Sequence, residues 1–240
     1  MGNEVVDYYN SIAEDYDESR FANSYGKFID AEERRILNKL IDLSADGKRL
    51  ELACGTGRLT NYATDGLDAS EKMIAHARKR HPDVEFREAS ACDTGYADEQ
   101  FDLVYTFHFL MHIDEQTFRQ VFDEVYRLLR PGGRFIFDIP SKKRRKLLHH
   151  KQTSWHGATA MDKADVESLT AGRFKLNRRF GIMMLPVHKL PERLRKPLTG
   201  VDYALANSFL KRYSSYHVYE LIKNNETSDV QTPKERNHEY

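Results

Sequence analysis

Lys48-Arg49-Leu50-Glu51-Leu52-Ala53-Cys54-Gly55-Thr56-Gly57-Arg58-Leu59 decides how the rest of the chain is read. Leu50 and Leu52 alternate with Arg49 and Glu51, the period of a strand entering a sheet. Gly55 and Gly57 break the alternation, and the missing Cβ allows a tight turn and close backbone approach to a ligand. Helix-compatible residues follow, so the stretch predicts a strand, a glycine turn and a short helix over 58–63. Amides at that helix N-terminus could receive a polar or anionic group.

Three ligand classes use such a turn. A Walker A loop requires Gly-Lys-Ser/Thr, whereas Gly57 is followed by Arg58-Leu59. A dinucleotide fingerprint requires a small residue three positions after its second glycine, and the two available registers place Arg58 or Thr60 there. What remains is Glu-x-Ala-x-Gly-x-Gly from Glu51 to Gly57, a form that an ordinary βα turn without a ligand can also take. This pattern resembles the first motif of the class I S-adenosylmethionine-dependent methyltransferases.

The chain has 240 residues, enough for one domain with a sizeable core. Lys+Arg and Asp+Glu are both 37, so no global basic field exists to hold nucleic acid by its phosphates. Cys54 and Cys92 make neither a disulfide framework nor a zinc set. No apolar run reaches membrane-spanning length, and the N-terminus lacks a signal-peptide pattern, so a cytoplasmic protein is expected.

Residues 4–18 and 30–43 carry helical apolar spacing. Asp68 closes a short second strand, where an acid can accept both hydroxyls of a ribose. Only eleven positions separate it from Gly57, against the roughly 20 usual for such folds. A helix over 71–80, a strand over 84–89 and a fourth strand at Phe101-Asp102-Leu103-Val104-Tyr105-Thr106-Phe107 follow. His112 lies just beyond that strand, and its near-neutral free pKa makes it the candidate general base. An amphipathic helix over 114–129 leads through Arg130-Pro131-Gly132-Gly133 into a fifth strand. Strands over 173–184 and 214–223 then form an edge hairpin around an insert, 186–211, with an apolar helix at 201–210. Lys142–Lys146 form a basic cluster that could meet an acidic substrate or RNA, or simply solvent.

Gly-Leu-Asp-Ala-Ser with Met73, Phe-Asp-Leu-Val-Tyr with a following His, and Leu-Leu-Arg-Pro-Gly-Gly resemble further motifs of the same family, in the same order, from Tyr8 to Pro140. The resemblance implies a seven-stranded, mostly parallel Rossmann-like α/β sheet with helices on both faces and an antiparallel last strand. It implies one domain over 1–224, with an N-terminal helical cap (1–47), a substrate-side insert (186–211) and a disordered tail (225–240). S-Adenosylmethionine would be the cofactor, with no metal. Tyr16 and Arg20 would close over its methionine end, and Glu51 with the Ala53, Cys54, Gly55, Thr56 and Gly57 backbone would hold that end. Asp68 would meet the ribose and Ser90 with Ala91 the adenine, Thr106 and Phe107 would lie at the strand end, and Ala69 and Met73 would belong to the same cofactor site. A small-molecule methyl acceptor is expected, with the protein a monomer or homodimer and no membrane or strong nucleic-acid partner. An RNA or protein acceptor, or a regulator that binds the cofactor without turnover, stays open.

Overall fold

The computed structural model describes residues 3–149 and 159–225. Trp155 and the tail from 226 onward lie outside the described residues. Seven strands form one sheet in the order β3-β2-β1-β4-β5-β7-β6. They are β1 (Arg49–Leu52), β2 (Asp65–Asp68), β3 (Glu85–Glu88), β4 (Phe101–Thr106), β5 (Leu129–Pro140), β6 (Phe174–Ile182) and β7 (Tyr216–Lys223). The first five run parallel, and β7 inserts antiparallel between β5 and β6, as expected for this fold.

Both faces of the sheet are buried, which is why its central strands read as near-continuous apolar runs. Leu103, Tyr105 and Ile136 face α3 (Ser24–Leu40), which contributes Ile29, Ile36, Leu37 and Leu40. Val104, Phe135 and Phe137 face α5 (Glu115–Leu128), with Phe118, Phe122 and Val125. Each such fully buried side chain stabilises the fold by about 1.5–3 kcal/mol. Helix starts are capped by short polar residues: Asn23 accepts from Gly26 N at 2.9 Å and Asp114 from Thr117 N at 2.7 Å. Among the described residues no helix is long and apolar enough to cross a membrane.

Four local expectations change. The single helix over 4–18 is two, α1 (Asn3–Ile12) and α2 (Tyr16–Phe21), and α3 begins before residue 30 because Asn23 caps it. The helix expected over 58–63 is one 3₁₀ turn, Thr60–Tyr62. The chain between Gly57 and β2 is too short for a helix that must also return, and α3 fills that layer instead. Arg34 of α3 donates to Arg58 O at 2.6 Å, and Tyr62 donates to Asn38 at 2.8 Å. The glycine turn therefore opens no α-helix N-terminus, and the anion-receiving role drawn from one falls away. Lastly, the insert's helix is α8 (Glu192–Ala206), earlier than 201–210, and a 3₁₀ segment, Phe209–Tyr213, follows it.

The remaining helices are α4 (Glu71–Arg80), at the expected bounds, α6 (Lys142–Leu147) and α7 (Lys163–Thr170). In the basic cluster, Arg144 donates to Met184 O at 2.9 Å and Tyr213 O at 2.8 Å, and Lys142 pairs with Asp165 at 3.0 Å. Those two side chains hold α6 in place. Asn224, the last residue of the expected domain, donates its backbone N–H to Arg173 O at 2.9 Å.

Candidate functional site

The strand order reverses between β1 and β4, and in open α/β sheets the crevice at the carboxyl ends of such strands is where ligands bind. Ala53, Gly55 and Gly57 all take left-handed backbone conformations there, at φ +55°, +55° and +81°. Cys54 N still donates to Leu67 O at 2.9 Å, so the turn stays tied to β2. Gly55 N donates to Asp68 Oδ2 at 2.8 Å and Ser70 N to Oδ1 at 2.9 Å. Burial pushes the Asp68 carboxyl up, against those amide bonds. Each of its oxygens keeps a further lone pair for a ligand hydroxyl. A side chain placed on Gly55 would meet nothing within 4 Å, so open space lies over the turn.

Two cavities meet at this point. The larger holds roughly 690 Å³, counting the solvent at its mouth. Asp68, Ala69, Met73, Ala91 and His112 line it, and α1 roofs it with Val5, Val6 and Tyr9. The smaller, about 340 Å³, is lined by Glu51, Cys54, Thr56 and Arg58. Tyr16, Ala53, Gly55, Phe107 and His108 line both. The apolar walls around one acid suit a flat base carrying hydroxyls, and Glu51 at the far end suits a cationic group.

Four of the expected residues line neither cavity. Gly57 is needed for packing, because a Cβ would stand 3.0 Å from the His81 ring and 3.3 Å from Ala77. Ser90 Oγ accepts from Cys92 N at 3.2 Å within its own loop. Thr106 is fully buried, and its hydroxyl has no partner among the described residues. The exposed Arg20 reaches the Tyr8 hydroxyl at 3.5 Å. Cys54 is buried, which pushes its thiol well up.

Behind the shared wall lies a charged cluster that the sequence reading missed. His108 Nε2 is 2.6 Å from Glu33 Oε1, and Arg58 donates to Glu33 Oε2 at 2.7 Å and to Asp30 at 2.6 Å. Burial alone would raise the Glu33 pKa, but the charges of His108 and Arg58 hold it near 2. Asp138 Oδ1 accepts from His108 N at 2.7 Å, and burial pushes this carboxyl up to about 6, against the pull of His108. Glu33, His108 and Asp138 bring three donor atoms within 4.8 Å of one another. Arg58 bonds the other Glu33 oxygen and so sets a positive charge against this group. The signal was present: Glu33 falls on the apolar stripe of α3, and Asp138 interrupts the apolar run of β5.

The insert reaches the same region from the side. His188 stands edge-on to Tyr25, whose hydroxyl lies 3.0 Å from that of Tyr216, and Tyr216 stands edge-on to His108. Among the described residues, none of 186–211 lines either cavity.

Residues 50–137 match the family described as "Methyltransferase domain". A protein of Mycolicibacterium smegmatis named "Probable S-adenosylmethionine-dependent methyltransferase" is 33% identical over 99 residues, 39% of this chain and 38% of that one. The demethylmenaquinone methyltransferase of Paenarthrobacter aurescens is 30% identical over 139 residues, 55% of this chain and 53% of that one. The matches thus span between about two fifths and about half of these relatives' length. Among solved structures, a methyltransferase of Thermotoga maritima described as a possible histamine N-methyltransferase superposes with a TM-score of 0.64 at 18% identity. That alignment covers 90% of this chain and 98% of the other, and it carries the fold.

Proposed function

We propose that this chain, which belongs to the class I S-adenosylmethionine-dependent methyltransferases, transfers a methyl group from S-adenosylmethionine to a small-molecule acceptor. The observation that carries the reading is Asp68. It is a buried acid at the end of β2, bonded to the glycine turn and opening on an apolar-walled cavity. The cofactor supplies a methyl group on a positively charged sulfur, which a nucleophile's lone pair displaces in line while the carbon–sulfur pair stays on sulfur. Asp68 holds the ribose hydroxyls, while Met73 and Ala91 flank the base. Glu51 and the Ala53–Thr56 turn hold the amino-acid end. Tyr9 and Tyr16 close the roof and exclude water, so the protein's contribution is orientation in a dry site.

His112, the base expected from sequence, lines the larger cavity. The insert 186–211 forms the acceptor-side flank. A small acceptor agrees with the confined cavities and the balanced charge, and we place the protein in the cytoplasm as a monomer or homodimer. Calorimetry should give micromolar binding of S-adenosylmethionine and S-adenosylhomocysteine, about −8 kcal/mol, with far weaker binding of NAD. Tight NAD binding and none of the sulfonium compound would end this reading. Labelled methyl donor and fractionated cell extract would then identify the acceptor.

A further inference from the structure

Two imidazoles line the larger cavity, His108 and His112, but only His108 also lines the smaller one. Asp68 belongs to the larger cavity alone and Glu51 to the smaller alone. In S-adenosylmethionine the sulfur joins the ribose to the amino-acid chain, so the reacting centre belongs at the wall that both cavities share. His108 is on that wall and His112 is not.

The cluster behind His108 fixes which nitrogen can work. Nε2 and a carboxylate oxygen 2.6 Å apart form a close ion-pair contact, off the hydrogen-bond line, which two facing lone pairs would make repulsive and a proton on Nε2 makes favourable. Glu33 stays ionised, because Arg58 bonds its other oxygen at 2.7 Å. Nε2 therefore carries the hydrogen, and in the neutral ring Nδ1 carries the lone pair. Nδ1 lies 4.0 Å from Asp138 Oδ2, too far for a hydrogen bond, and the side chain is 20% exposed. Asp138 instead bonds the His108 backbone N–H and anchors the residue at φ +56°, a conformation that non-glycine residues rarely hold. Burial would lower the imidazole's pKa, but Glu33 and Asp138 raise it. The groups facing the ring are Glu33 of α3, Arg58 of the turn, Asp138 of β5, Tyr216 of β7 and Phe21 of α2.

We infer that His108, rather than His112, accepts the proton the methyl acceptor gives up, with Glu33 and Asp138 as the positioning residues that set its tautomer and its hold on that proton. The inference rests on the methyl-transfer reading above. The acceptor's O–H or N–H bond breaks, the proton bonds to Nδ1, and the electron pair stays on the acceptor atom as the attacking nucleophile. The imidazolium, flanked by two carboxylates, later returns the proton to water.

The test begins without an acceptor. In ¹⁵N-histidine-labelled protein, free and saturated with S-adenosylhomocysteine, a pH titration by NMR should show neutral His108 protonated at Nε2. Its midpoint should lie above the ordinary 6.5 and fall in Glu33→Gln. Turnover is then read with tritiated-methyl S-adenosylmethionine and the ultrafiltered small-molecule fraction of a cell extract. His108→Gln should lose about 10² to 10⁴-fold in kcat with S-adenosylhomocysteine affinity retained, and the pH profile of kcat in His112→Gln should keep the wild-type ionisation. A neutral His108 carrying its proton on Nδ1, or a His108→Gln variant with wild-type kcat, overturns the inference. The labelled wild-type protein answers the tautomer question even if a variant fails to fold. Wild-type protein that binds neither cofactor form would instead sink the methyl-transfer reading itself.

Discussion

Thr56 donates its hydroxyl hydrogen to Asp17 Oδ1 at 2.6 Å, a bond that joins the glycine turn to a helix 39 positions earlier in the chain. The other Asp17 oxygen takes Arg80 of α4, and Ser70 donates to Asn10 of α1 at 2.7 Å. The N-terminal helices are thus pinned over the cavity by polar contacts to the walls on either side of it. A roof held this way can open at modest cost and close once a ligand fills the space beneath it.

Thr56→Val removes one of these pins and keeps the shape of the side chain. Asp17 is partly exposed, so the loss is about 1 kcal/mol. Amide exchange in residues 3–21 should speed up while that of the sheet stays unchanged. S-Adenosylmethionine affinity should fall about fivefold. Unaltered exchange in residues 3–21 would mean that the apolar contacts of Tyr16 and Phe21 hold the roof by themselves.

Asp68→Asn keeps the volume and removes the charge. Hydrogen bonds from ribose hydroxyls to a carboxylate are worth roughly 1.5–3 kcal/mol each, so cofactor affinity should drop at least about tenfold. The thermal midpoint should also fall, because the asparagine NH2 cannot accept one of the two amide bonds that the carboxylate takes from Gly55 N and Ser70 N. Full affinity in this variant, measured by calorimetry, would assign the ribose to another group.

The fold was legible because each strand and most helices obey a local rule. Leu50 and Leu52 alternate, Ser70 caps α4, and Pro131-Gly132-Gly133 separates α5 from the main run of β5. Part of the cavity lining was legible for the same reason: Asp68 and Ala53–Gly55 sit where chain direction changes, and turns have sequence signatures. The other half was hidden because it is assembled across the fold. Glu33, Arg58, His108 and Asp138 come from four separate segments, and only tertiary packing makes them neighbours. The helix wrongly expected after Gly57 failed for a related reason. Its residues suit a helix, but α3 had already taken that layer of the sheet.

Gly181→Ala tests the distant edge of the sheet. A Cβ there would stand 2.2 Å from Ala206 O and from Ser214 Oγ, and a backbone carbonyl cannot swing aside. Forced overpacking of this kind costs about 1–3 kcal/mol, or roughly 2–12 °C in Tm for a chain of this size. Cofactor affinity of the folded protein should be unchanged, since β6 lies far along the sheet from the glycine turn. A variant as stable as wild type would show that the insert can move away from β6 freely.

Glu51 ties stability to binding through one proton. Burial pushes its pKa from 4.5 up to about 7, against the Thr60 hydroxyl bond and the Arg58 charge. Between those two values the folded protein keeps a proton that the unfolded chain has released. Stability therefore falls as pH rises across the window, by about 3 kcal/mol in all for a shift of this size. His217 acts in the opposite sense, since burial lowers its pKa to about 4 and stability gained there rises with pH. Only the difference between wild type and Glu51→Gln isolates Glu51. The variant should gain stability relative to wild type between pH 5 and pH 7 and hold that gain at higher pH. Its binding should change in the other direction. An ammonium group placed against Glu51 favours the carboxylate, so S-adenosylmethionine binding near pH 6.5 should release a proton in wild type. That release is read as a binding enthalpy that depends on the buffer. The Gln variant should bind more weakly and without it. A wild-type enthalpy that is the same in phosphate and in Tris would place the cofactor's ammonium away from Glu51, leaving the smaller cavity to some other ligand group.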